Sequence, residues 1–430
     1  MSYEINCSYI TDKDSKVMDK QLFISPISKK KRFQQNTFYV PPKVPFVHRY
    51  KDKLYVPYSW GLNYFKTLNN TIHQYKDIDL EFIGTLREEQ EELKENSLKL
   101  LNDNKTCLIA VYPGFGKTIT SLSIISELKK TTLIIVNKIV LVEQWREAIK
   151  KFLGMDVFFI KGKNCKIKPS SVYIVNAINL PKFDIDFLKS LGIGCVIVDE
   201  CHLILTKIFS QALFQICPKY LIGLSATPYR SDGFDTLFNL YFGENRINKS
   251  LYCPHKVINI DSKIPIEFTL AKNGNINWNS VIDSQSFSEQ RNELICNYIE
   301  KYKEKNILVL CKRIKQMNLL NEMLRDKNID SVTFKESDIS FDKESKVLIS
   351  SFQKVGTGFS HDKLDMLILA VDTEEYFLQY LGRVFRRKDS CPIILDIVDD
   401  NPVLWKHYRT RAKVYRECGG AIEKIKMEIK

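Results

Sequence analysis

The stretch VYPGFGKTIT, residues 111–120, constrains the fold of this chain more than any other. Gly116, Lys117 and Thr118 supply the end of the phosphate-binding pattern G-x-x-x-x-G-K-[ST], and Val111 stands where that pattern has its first glycine. Small residues in such a loop let successive backbone N–H groups turn inward onto phosphate oxygens. The stretch therefore predicts a phosphate-binding loop, and the alternative is an ordinary Gly-rich turn.

The residues on either side of this loop predict a strand and a helix. TCLIAVY, residues 106–112, is a short apolar run, and TITSLSIISELKK, residues 118–130, has helical spacing. A strand, a glycine loop and a helix in this order place a helix N-terminus beneath bound phosphates. Lys117 would reach the β- and γ-phosphates of a nucleoside triphosphate, and the Thr118 hydroxyl would hold Mg²⁺. The loop residues expected to contact the nucleotide are Pro113, Gly114, Phe115, Gly116, Lys117 and Thr118.

Apolar runs and helical stretches alternate in two series along the chain. The first series contains TCLIAVY, TLIIVNK, VYIVNAI, CVIVDE and YLIGLSAT, and the second contains NILVLCK, KVLISSF, MLILAVD and PIILDIV. This alternation predicts an α/β fold with parallel sheets covered by helices on both faces. Residues 244–286, between the two series, are rich in Asn, Ser and Lys, and we expect a domain boundary there.

The first eighty residues have a different character. Pro and aromatic residues cluster in FYVPPKVPFVHRYKDKLYVPYSWGLNYF without a helical period, which predicts a small β-rich or irregular module. An aromatic side chain such as Tyr58 or Trp60 could stack on a base, and the alternative is burial in a small core. We therefore expect three regions: an accessory module at 1–80, an ATP-binding domain at 81–250, and a second α/β domain with a linker and basic tail at 251–430.

Positive charge is concentrated at the two ends of the chain. The net charge is +13; residues 1–80 contain 13 Lys and Arg against 7 Asp and Glu, and residues 401–430 contain 8 against 3. This distribution favours a polyanionic partner such as nucleic acid. The alternative is that the lysines only keep the protein in solution.

Cysteine spacing and hydropathy exclude several classes of protein. The eleven cysteines are scattered singly and contain neither a C-x-x-C nor a zinc-type spacing, so we expect reduced thiols, an intracellular location and no structural metal. The N-terminus lacks a basic-then-apolar pattern, which predicts no signal peptide. No apolar run approaches membrane-spanning length, so we expect no membrane association.

VIVDECHLI, residues 196–204, places two carboxylates directly after an apolar run. Asp199 would orient Mg²⁺ through its water shell, and Glu200 would polarise an attacking water. The alternative is an acidic helix N-terminus without any nucleotide. Because DECH follows a strand downstream of a phosphate-binding loop, it closely resembles the D-E-x-H box of superfamily 2 helicases and translocases.

Further stretches resemble the remaining motifs of that family in the expected order. They are TLREEQ (85–90), VNKIVLVEQW (136–145), LSATP (224–228), KVGTGFSHDKLD (354–365) and QYLGRVFRR (379–387). The resemblance implies two tandem RecA-like domains, ATP and Mg²⁺ as cofactors, and hydrolysis coupled to movement along nucleic acid. It also implies that Gln90 contacts adenine, and that His202, Ser225 and Thr227 couple the nucleotide site to the nucleic acid, although His202 could instead face the core. The nucleic-acid contacts that it implies are Lys138, Gln144, Arg230, Lys354 and Thr357.

QYLGRVFRR places Arg383 and Arg386 three residues apart, which predicts that they share one face of a helix. A guanidinium group matches phosphate oxygens better than an ammonium group does. The resemblance implies that both arginines sense the γ-phosphate from the second domain and that Gln379 lies near the attacking water. The alternative is a solvated basic helix face, since Arg387 and Lys388 extend the run of charge.

Three stretches indicate a branch of the family. ATPYRSDG, residues 226–233, resembles the ATP-x-R-x-D-G extension of the XPB-like and phage branch-migration helicases, although Ser231 replaces the glutamate found there. The N-terminal HRYKDKLYVPYSWGLNYF and the C-terminal HYRTRAKVYRECGG are similar to segments of helicases from poxviruses and other large DNA viruses, which act in transcript release or as DNA translocases. The resemblance therefore implies a viral protein that acts in the host cell or is packaged in the virion.

We expect a nucleic-acid-dependent ATPase that translocates on DNA to unwind or remodel duplexes or to displace transcripts. Its expected partners are nucleic acid, with DNA favoured over RNA, and proteins of transcription, replication or repair. An RNA helicase is one alternative, because contacts to phosphates do not identify the sugar. A non-catalytic tethering factor is another, although Lys117, Glu200 and Arg386 are all present.

Overall fold

The computed structural model describes most of the chain. The described residues are 1–25, 42–66, 73–162, 166, 168–206, 212–226, 234–271, 274–338, 341–342, 344–356, 361–373, 377–386 and 390–427. They form two compact units, which are Met1–Val111 with Phe115–Lys249 and Tyr112–Gly114 with Ser250–Lys430.

The first unit begins with a small antiparallel region. Its strands are β1 (Ser2–Asn6), β2 (Phe23–Ile24), β3 (Val44–Pro45), β4 (His48–Tyr50) and β5 (Lys53–Pro57), and its helices are α1 (Asp12–Gln21) and α2 (Tyr58–Tyr64). The order β1-β5-β4 forms one sheet, and β2 pairs with β3. Tyr58 is 5% exposed and donates to the Lys219 carbonyl at 2.8 Å, and Trp60 stacks on Tyr64 with 4.7 Å between ring centroids. Tyr58 is therefore part of the core, which was the alternative to stacking on a base.

A seven-stranded parallel sheet forms the rest of the first unit, in the order β12-β6-β11-β10-β7-β9-β8. Its strands are β6 (Thr106–Val111), β7 (Thr132–Val136), β8 (Phe158–Ile160), β9 (Val172–Asn176), β10 (Cys195–Val198), β11 (Tyr220–Ser225) and β12 (Arg246–Lys249). Its helices are α3 (Glu88–Asn104), α4 (Lys117–Leu128), α5 (Ile139–Leu153), α6 (Ile185–Ser190), α7 (Cys201–Ile204) and α8 (Thr236–Phe242). The central strands are buried along their whole length, as expected for a parallel sheet with helices on both faces.

The strand order brings the motif residues together. Parallel strands end at the same edge of a sheet, and β6, β11, β10 and β7 are consecutive neighbours there. The residues that follow these four strands are therefore adjacent in space, and we call this part of the molecule the carboxyl edge. A crevice outside the carboxyl ends of neighbouring parallel strands is where α/β sheets bind ligands.

The second unit contains another seven-stranded parallel sheet, in the order β15-β16-β14-β17-β18-β13-β19. Its strands are β13 (His255–Pro265), β14 (Ile307–Cys311), β15 (Ser331–Phe334), β16 (Val347–Ser351), β17 (Met366–Leu369), β18 (Ile393–Asp400) and β19 (Gly420–Lys426). Its helices are α9 (Trp278–Phe287), α10 (Glu289–Lys301), α11 (Ile314–Asp326), α12 (Phe352–Gly356), α13 (Phe377–Val384) and α14 (Pro402–Glu417).

The nine apolar runs noted in the sequence all form parallel strands, which confirms the predicted α/β fold with two such sheets. Strand β13 lies in the polar segment 244–286, where the sequence indicated only a boundary. Its polar side chains are buried because they find partners: Ser262 donates to Asp399 at 2.7 Å, and Asn259 donates to the Asp396 carbonyl at 3.2 Å. Across the described ranges, no helix has both the length and the apolar character to cross a membrane.

Candidate functional site

The loop after β6 has the backbone geometry that a phosphate-binding loop requires. Gly114 and Gly116 have φ angles of 89° and 104°, in the left-handed region that disfavours residues with a side chain. A Cβ atom at Gly116 would also collide with the Nε2 atom of Gln90. Helix α4 begins at Lys117 with Gly116 as its N-cap, so the N–H groups of its first turn face the loop.

The two polar residues at the start of α4 lie where the sequence motif places them. Lys117 donates from Nζ to the Val111 carbonyl at 3.2 Å, which folds its side chain back over the start of the loop. Thr118 is partly exposed in the first helical turn. Phe115 is 2% exposed, so its ring packs into the protein and only its backbone can serve a ligand.

Gln90 binds the phosphate-binding loop directly. Its Nε2 donates to the Phe115 carbonyl at 2.8 Å, and its Oε1 accepts from the Arg87 backbone N–H at 3.0 Å. The Arg87 guanidinium donates to the same Phe115 carbonyl. Each end of the Gln90 amide therefore makes one bond to the protein, and an amide has a second donor and a second acceptor position with which it could contact adenine. Arg87 lies inside the TLREEQ stretch, but the sequence analysis did not predict that it contacts the phosphate-binding loop.

Asp199 follows β10 at the carboxyl edge and is 7% exposed. Its Oδ2 accepts from the Trp145 indole N–H at 2.8 Å, and its Oδ1 accepts from the Glu200 backbone N–H at 2.9 Å. Burial, followed by the charge of Glu200, raises the pKa of Asp199 to about 6, although Trp145 and Lys117 act in the opposite direction. A buried carboxylate held by two neutral donors is stabilised further by any cation that binds beside it.

Glu200 has a left-handed backbone, with φ 46° and ψ 51°. Such a conformation costs a residue other than glycine on the order of 1–3 kcal/mol, and strain of this kind clusters at functional sites. The Glu200 Oε2 atom lies 3.4 Å from Nδ1 of His202. The same His202 Nδ1 lies 2.9 Å from Ser225 Oγ, and both residues are buried. These contacts connect the end of β10 to the end of β11.

Two of the expected nucleic-acid contacts lie on α5, which follows β7. Lys138 is exposed at the N-cap of this helix, beside Ile139 and Val140, whose surfaces are 57% and 46% exposed. Gln144 is partly buried on the same helix. Lys138 is therefore accessible to a phosphate group, whereas Gln144 is accessible only in part.

The two arginines expected near the γ-phosphate lie in different local structures. Arg383 is on α13, and its Nη2 donates to the Gly356 carbonyl at 3.5 Å. Helix α13 ends at Val384, so Arg386 follows the helix, and its Nη1 pairs with Asp362 at 3.0 Å. The prediction that the two arginines share a helix face is wrong, because the chain leaves the helix before Arg386.

The other residues of the second unit are placed as follows. Gln379 is buried on α13, 9% exposed. Lys354 on α12 donates from Nζ to the carbonyls of Glu336 and Asp338 at 3.2 and 2.6 Å, and its ammonium lies 4.4 Å from the centre of the Phe334 ring. A phosphate contact by Lys354 would therefore compete with these bonds. Thr227, Arg230 and Thr357 lie outside the described residues.

A buried ion network in the second unit was not anticipated from the sequence. Arg411 donates to both carboxylate oxygens of Asp396 at 2.8 and 2.9 Å and to Asp372 at 2.6 Å. His407 lies 2.6 Å from Asp372, and the Tyr415 hydroxyl donates to Asp396 at 2.8 Å. Residues 407, 411 and 415 are four apart on α14 and therefore share one face. The four-residue spacing of His407, Arg411 and Tyr415 is the sequence signal that could have predicted a polar face on this helix.

Comparison with known proteins identifies a matching family model and several relatives of this chain. A family model described as the res subunit of type III restriction enzymes matches residues 83–230. The "Putative helicase 161L" of Invertebrate iridescent virus 6 is 36% identical over 414 residues, which cover 90% of this chain and 93% of that protein. A "Putative ATP-dependent RNA helicase" of Acanthamoeba polyphaga mimivirus is 26% identical and covers 82% of this chain and 72% of its own.

One more distant relative and one solved structure also match most of this chain. The "DNA 3'-5' translocase XPB2" of Sulfurisphaera tokodaii is 24% identical over 382 residues, covering 76% of this chain and 84% of that protein. Among solved structures, S. cerevisiae Dbp5 bound to RNA and ADP BeF3 matches with a TM-score of 0.52 and 13% identity, covering 78% of this chain and 89% of that chain. This likeness confirms the two tandem RecA-like domains.

Proposed function

The chain belongs to the superfamily 2 helicases, in the group that includes proteins of large DNA viruses and the XPB translocases, and on this premise we propose that it moves along duplex DNA. Membership of the family makes it a nucleic-acid-dependent ATPase. Family membership therefore favours the enzyme over the non-catalytic tethering factor.

The carboxyl edge carries the proposed chemistry. Lys117 follows β6, and Asp199 and Glu200 follow β10, with β11 between these two strands. Glu200 is held in a strained backbone next to His202. Lys117 would offset charge on the β- and γ-phosphates, and Glu200 would orient and polarise the attacking water. His202 and Ser225 would report the state of the nucleotide to the nucleic-acid side, together with Thr227.

The second unit would supply the remaining catalytic groups. Arg383 and Arg386 are proposed to contact the γ-phosphoryl oxygens, and Gln379 to lie near the attacking water. Guanidinium groups are suited to this role because their planar fork matches phosphate oxygens. Gln90 and the loop residues Pro113, Gly114, Phe115, Gly116, Lys117 and Thr118 are proposed to bind ATP.

Thr118 and Asp199 are proposed to hold Mg²⁺. Mg²⁺ prefers oxygen ligands, and the two residues offer a hydroxyl and a carboxylate. The fit is supported by Asp199, whose buried carboxylate accepts bonds only from neutral donors among the described residues. Bound there, Mg²⁺ would neutralise phosphate charge.

Duplex DNA is the proposed substrate. The relative from Sulfurisphaera tokodaii is named a DNA translocase, whereas the mimivirus relative is named an RNA helicase, so RNA is the second candidate. The proposed contacts of Lys138, Gln144, Lys354, Arg230 and Thr357 are to the backbone, which does not separate the two. The mimivirus relative covers more of this chain, whereas the match to the DNA translocase spans more of that relative. The ATPYRSDG stretch resembles the branch of the DNA translocase, and this resemblance favours DNA.

ATP hydrolysis measured in parallel with single-stranded DNA, duplex DNA, branched DNA and RNA tests this proposal. We expect duplex DNA to stimulate the rate several-fold and RNA to stimulate it less. Stimulation by RNA alone would replace the DNA proposal with the RNA helicase.

Regional and cellular roles are also proposed. Residues 1–80 would contribute DNA contacts, 81–250 would bind ATP, and 251–430 would complete the catalytic site. Because the relatives include proteins of large DNA viruses, we propose that the chain acts in an infected cell with transcription, replication or repair proteins. Mass spectrometry of purified virions would show whether it is also packaged.

A further inference from the structure

A cavity of about 280 Å³ in the first unit is bordered by four separate segments of the chain, and three of them carry a possible metal ligand. Glu4 lies on β1, His73 lies between α2 and α3, and Cys217 lies shortly before β11. One ligand atom from each of these residues lies within 4.8 Å of the other two. We propose that Glu4, His73 and Cys217 bind one zinc ion, with the fourth position open to water.

The distances suit a zinc ion after a small adjustment. Zinc ligands lie about 2.0–2.3 Å from the metal, so two ligands at a tetrahedral angle stand roughly 3.3–3.8 Å apart. Movement of about 1 Å by rotation of the side chains would bring the three atoms to this spacing. A nearby group also lacks a donor: Gln215 borders the same cavity, and its buried side-chain oxygen has no hydrogen-bond partner within the described residues.

The type of ligands identifies the metal. A thiolate disfavours Mg²⁺ and Ca²⁺, which prefer oxygen, and a sulfur, nitrogen and oxygen set is typical of Zn²⁺. Zinc binds a neutral imidazole and a thiolate, so the proton of the Cys217 thiol would be displaced and released to solvent when the metal binds.

The three segments are held together by bonds outside the proposed site. The Ser2 N–H donates to the Ile216 carbonyl at 2.7 Å, and the Tyr75 hydroxyl donates to the Cys217 carbonyl at 3.3 Å. The Lys76 N–H donates to the Gly192 carbonyl at 2.9 Å, which ties the segment that carries His73 to the fourth segment bordering the cavity. The ligands therefore start from a defined position, which reduces the ordering that metal binding requires.

A simpler explanation is that Glu4 serves only as an ion-pair partner. Its Oε2 accepts from Lys189 at 2.5 Å, and its Oε1 lies 3.8 Å from Lys53. A carboxylate has about four acceptor positions, so Glu4 can bind a metal and keep Lys189. The ion pair accounts for Glu4 alone and assigns no role to the side chains of His73 and Cys217.

A zinc ion at this position would join the N-terminal sheet to the segment that leads into β11. Strand β11 carries Ser225 at its end, although the proposed metal lies at the opposite end of that strand. The inference is therefore independent of ATP hydrolysis, and its test does not depend on activity.

The test measures metal content and stability of the full-length chain. Purified wild-type protein, exposed briefly to a weak chelator, should retain about one zinc per chain by mass spectrometry. Cobalt replacement should give the near-ultraviolet absorption of a cobalt–thiolate bond. Added zinc should raise Tm by several degrees, because it binds only the folded state.

Variants assign the site. Cys217→Ser and His73→Gln should lose the zinc, with affinity falling by more than the roughly 10–100-fold typical of changes outside the first ring of ligands. Cys253→Ser is the matched control, because Cys253 lies beside His255 elsewhere in the chain, and it should retain zinc fully. If Cys217→Ser fails to fold, the zinc content of His73→Gln tests the proposal. Wild-type protein without zinc and without a cobalt–thiolate band, or variants that keep full zinc, would overturn the proposal.

Discussion

Both parallel sheets bury aspartates near the carboxyl ends of central strands, but the two units stabilise them differently. In the first unit, Asp199 accepts bonds from an indole and a backbone amide, and burial raises its pKa to about 6. In the second unit, burial also acts to raise the pKa of Asp372, but the bond from His407 and the charge of Arg411 outweigh it and hold the pKa below its ordinary value.

The difference indicates two roles: the buried aspartates of the second unit contribute to folding, whereas Asp199 is proposed to bind a ligand cation. Arg411 is 2% exposed and satisfies two aspartates, so the second unit contains its own compensating cation. Asp199 is 7% exposed and is paired with no arginine or lysine within hydrogen-bonding distance among the described residues. The first unit would therefore gain stability if a cation such as Mg²⁺ bound there, whereas the second would lose stability if its arginine were removed.

Arg386 should show the largest effect. If it stabilises charge on the γ-phosphoryl group, Arg386→Ala and Arg386→Lys should each reduce single-turnover hydrolysis by about 10³–10⁵, with the fold and DNA binding retained. Lysine should rescue poorly because it lacks the planar fork. The structure offers a matched control: Asp362, the exposed partner of Arg386, can be changed to Asn. A rate loss in Asp362→Asn equal to that in Arg386→Ala would assign Arg386 to the surface ion pair instead.

Arg411 tests the folding side of the comparison. Arg411→Met leaves Asp372 and Asp396 buried without their guanidinium partner, and loss of one partner from a buried pair costs about 3–5 kcal/mol. The unfolding transition of the second unit in calorimetry should move to lower temperature accordingly. Arg409→Met, at an exposed position on the same helix, should change stability by less than about 0.5 kcal/mol. Equal transitions for the two variants would contradict the assigned role of the network.

A change at Trp145 tests the environment of Asp199 in the first unit and should have a smaller effect. Trp145→Phe removes the indole N–H that favours the charged form of Asp199, so the pKa of Asp199 should rise above about 6. More of the carboxyl group is then protonated at a given pH, and the acidic limb of the ATPase pH profile should move to higher pH. We expect a rate loss of roughly 10-fold at neutral pH, as for other residues that orient a metal ligand. A rate loss without any change in the profile would mean that Trp145 acts only by packing.

The basic N-terminal region should show the smallest effect. Met1, Phe46 and Tyr58 are buried against the first sheet, so deletion of residues 1–80 would expose core. Arg49→Gln and Lys51→Gln are better probes because both side chains are exposed. Each lost phosphate contact should reduce the slope of log affinity against log salt by roughly 0.9. An unchanged slope would indicate that this charge serves solubility.

The parts that the sequence predicted well were those with local signals. The nine apolar runs predicted nine strands of the two parallel sheets. The glycine loop and the DECH stretch predicted site residues that the fold places at the carboxyl edge. The helix containing Arg383 was expected to reach Arg386, because spacing alone cannot show where a helix ends. The Arg411 network and the cluster of Glu4, His73 and Cys217 depend on contacts between residues distant in sequence, which a single sequence does not reveal.

The most direct test of the central claim compares ATP binding and single-turnover hydrolysis in the wild type and Glu200→Gln, each with and without duplex DNA. The wild type should be stimulated several-fold by DNA. Glu200→Gln should bind ATP normally and hydrolyse it at least about 10²-fold more slowly, because the amide cannot polarise the attacking water. A Glu200→Gln rate close to that of the wild type, or a wild-type rate unaffected by DNA, would contradict the account.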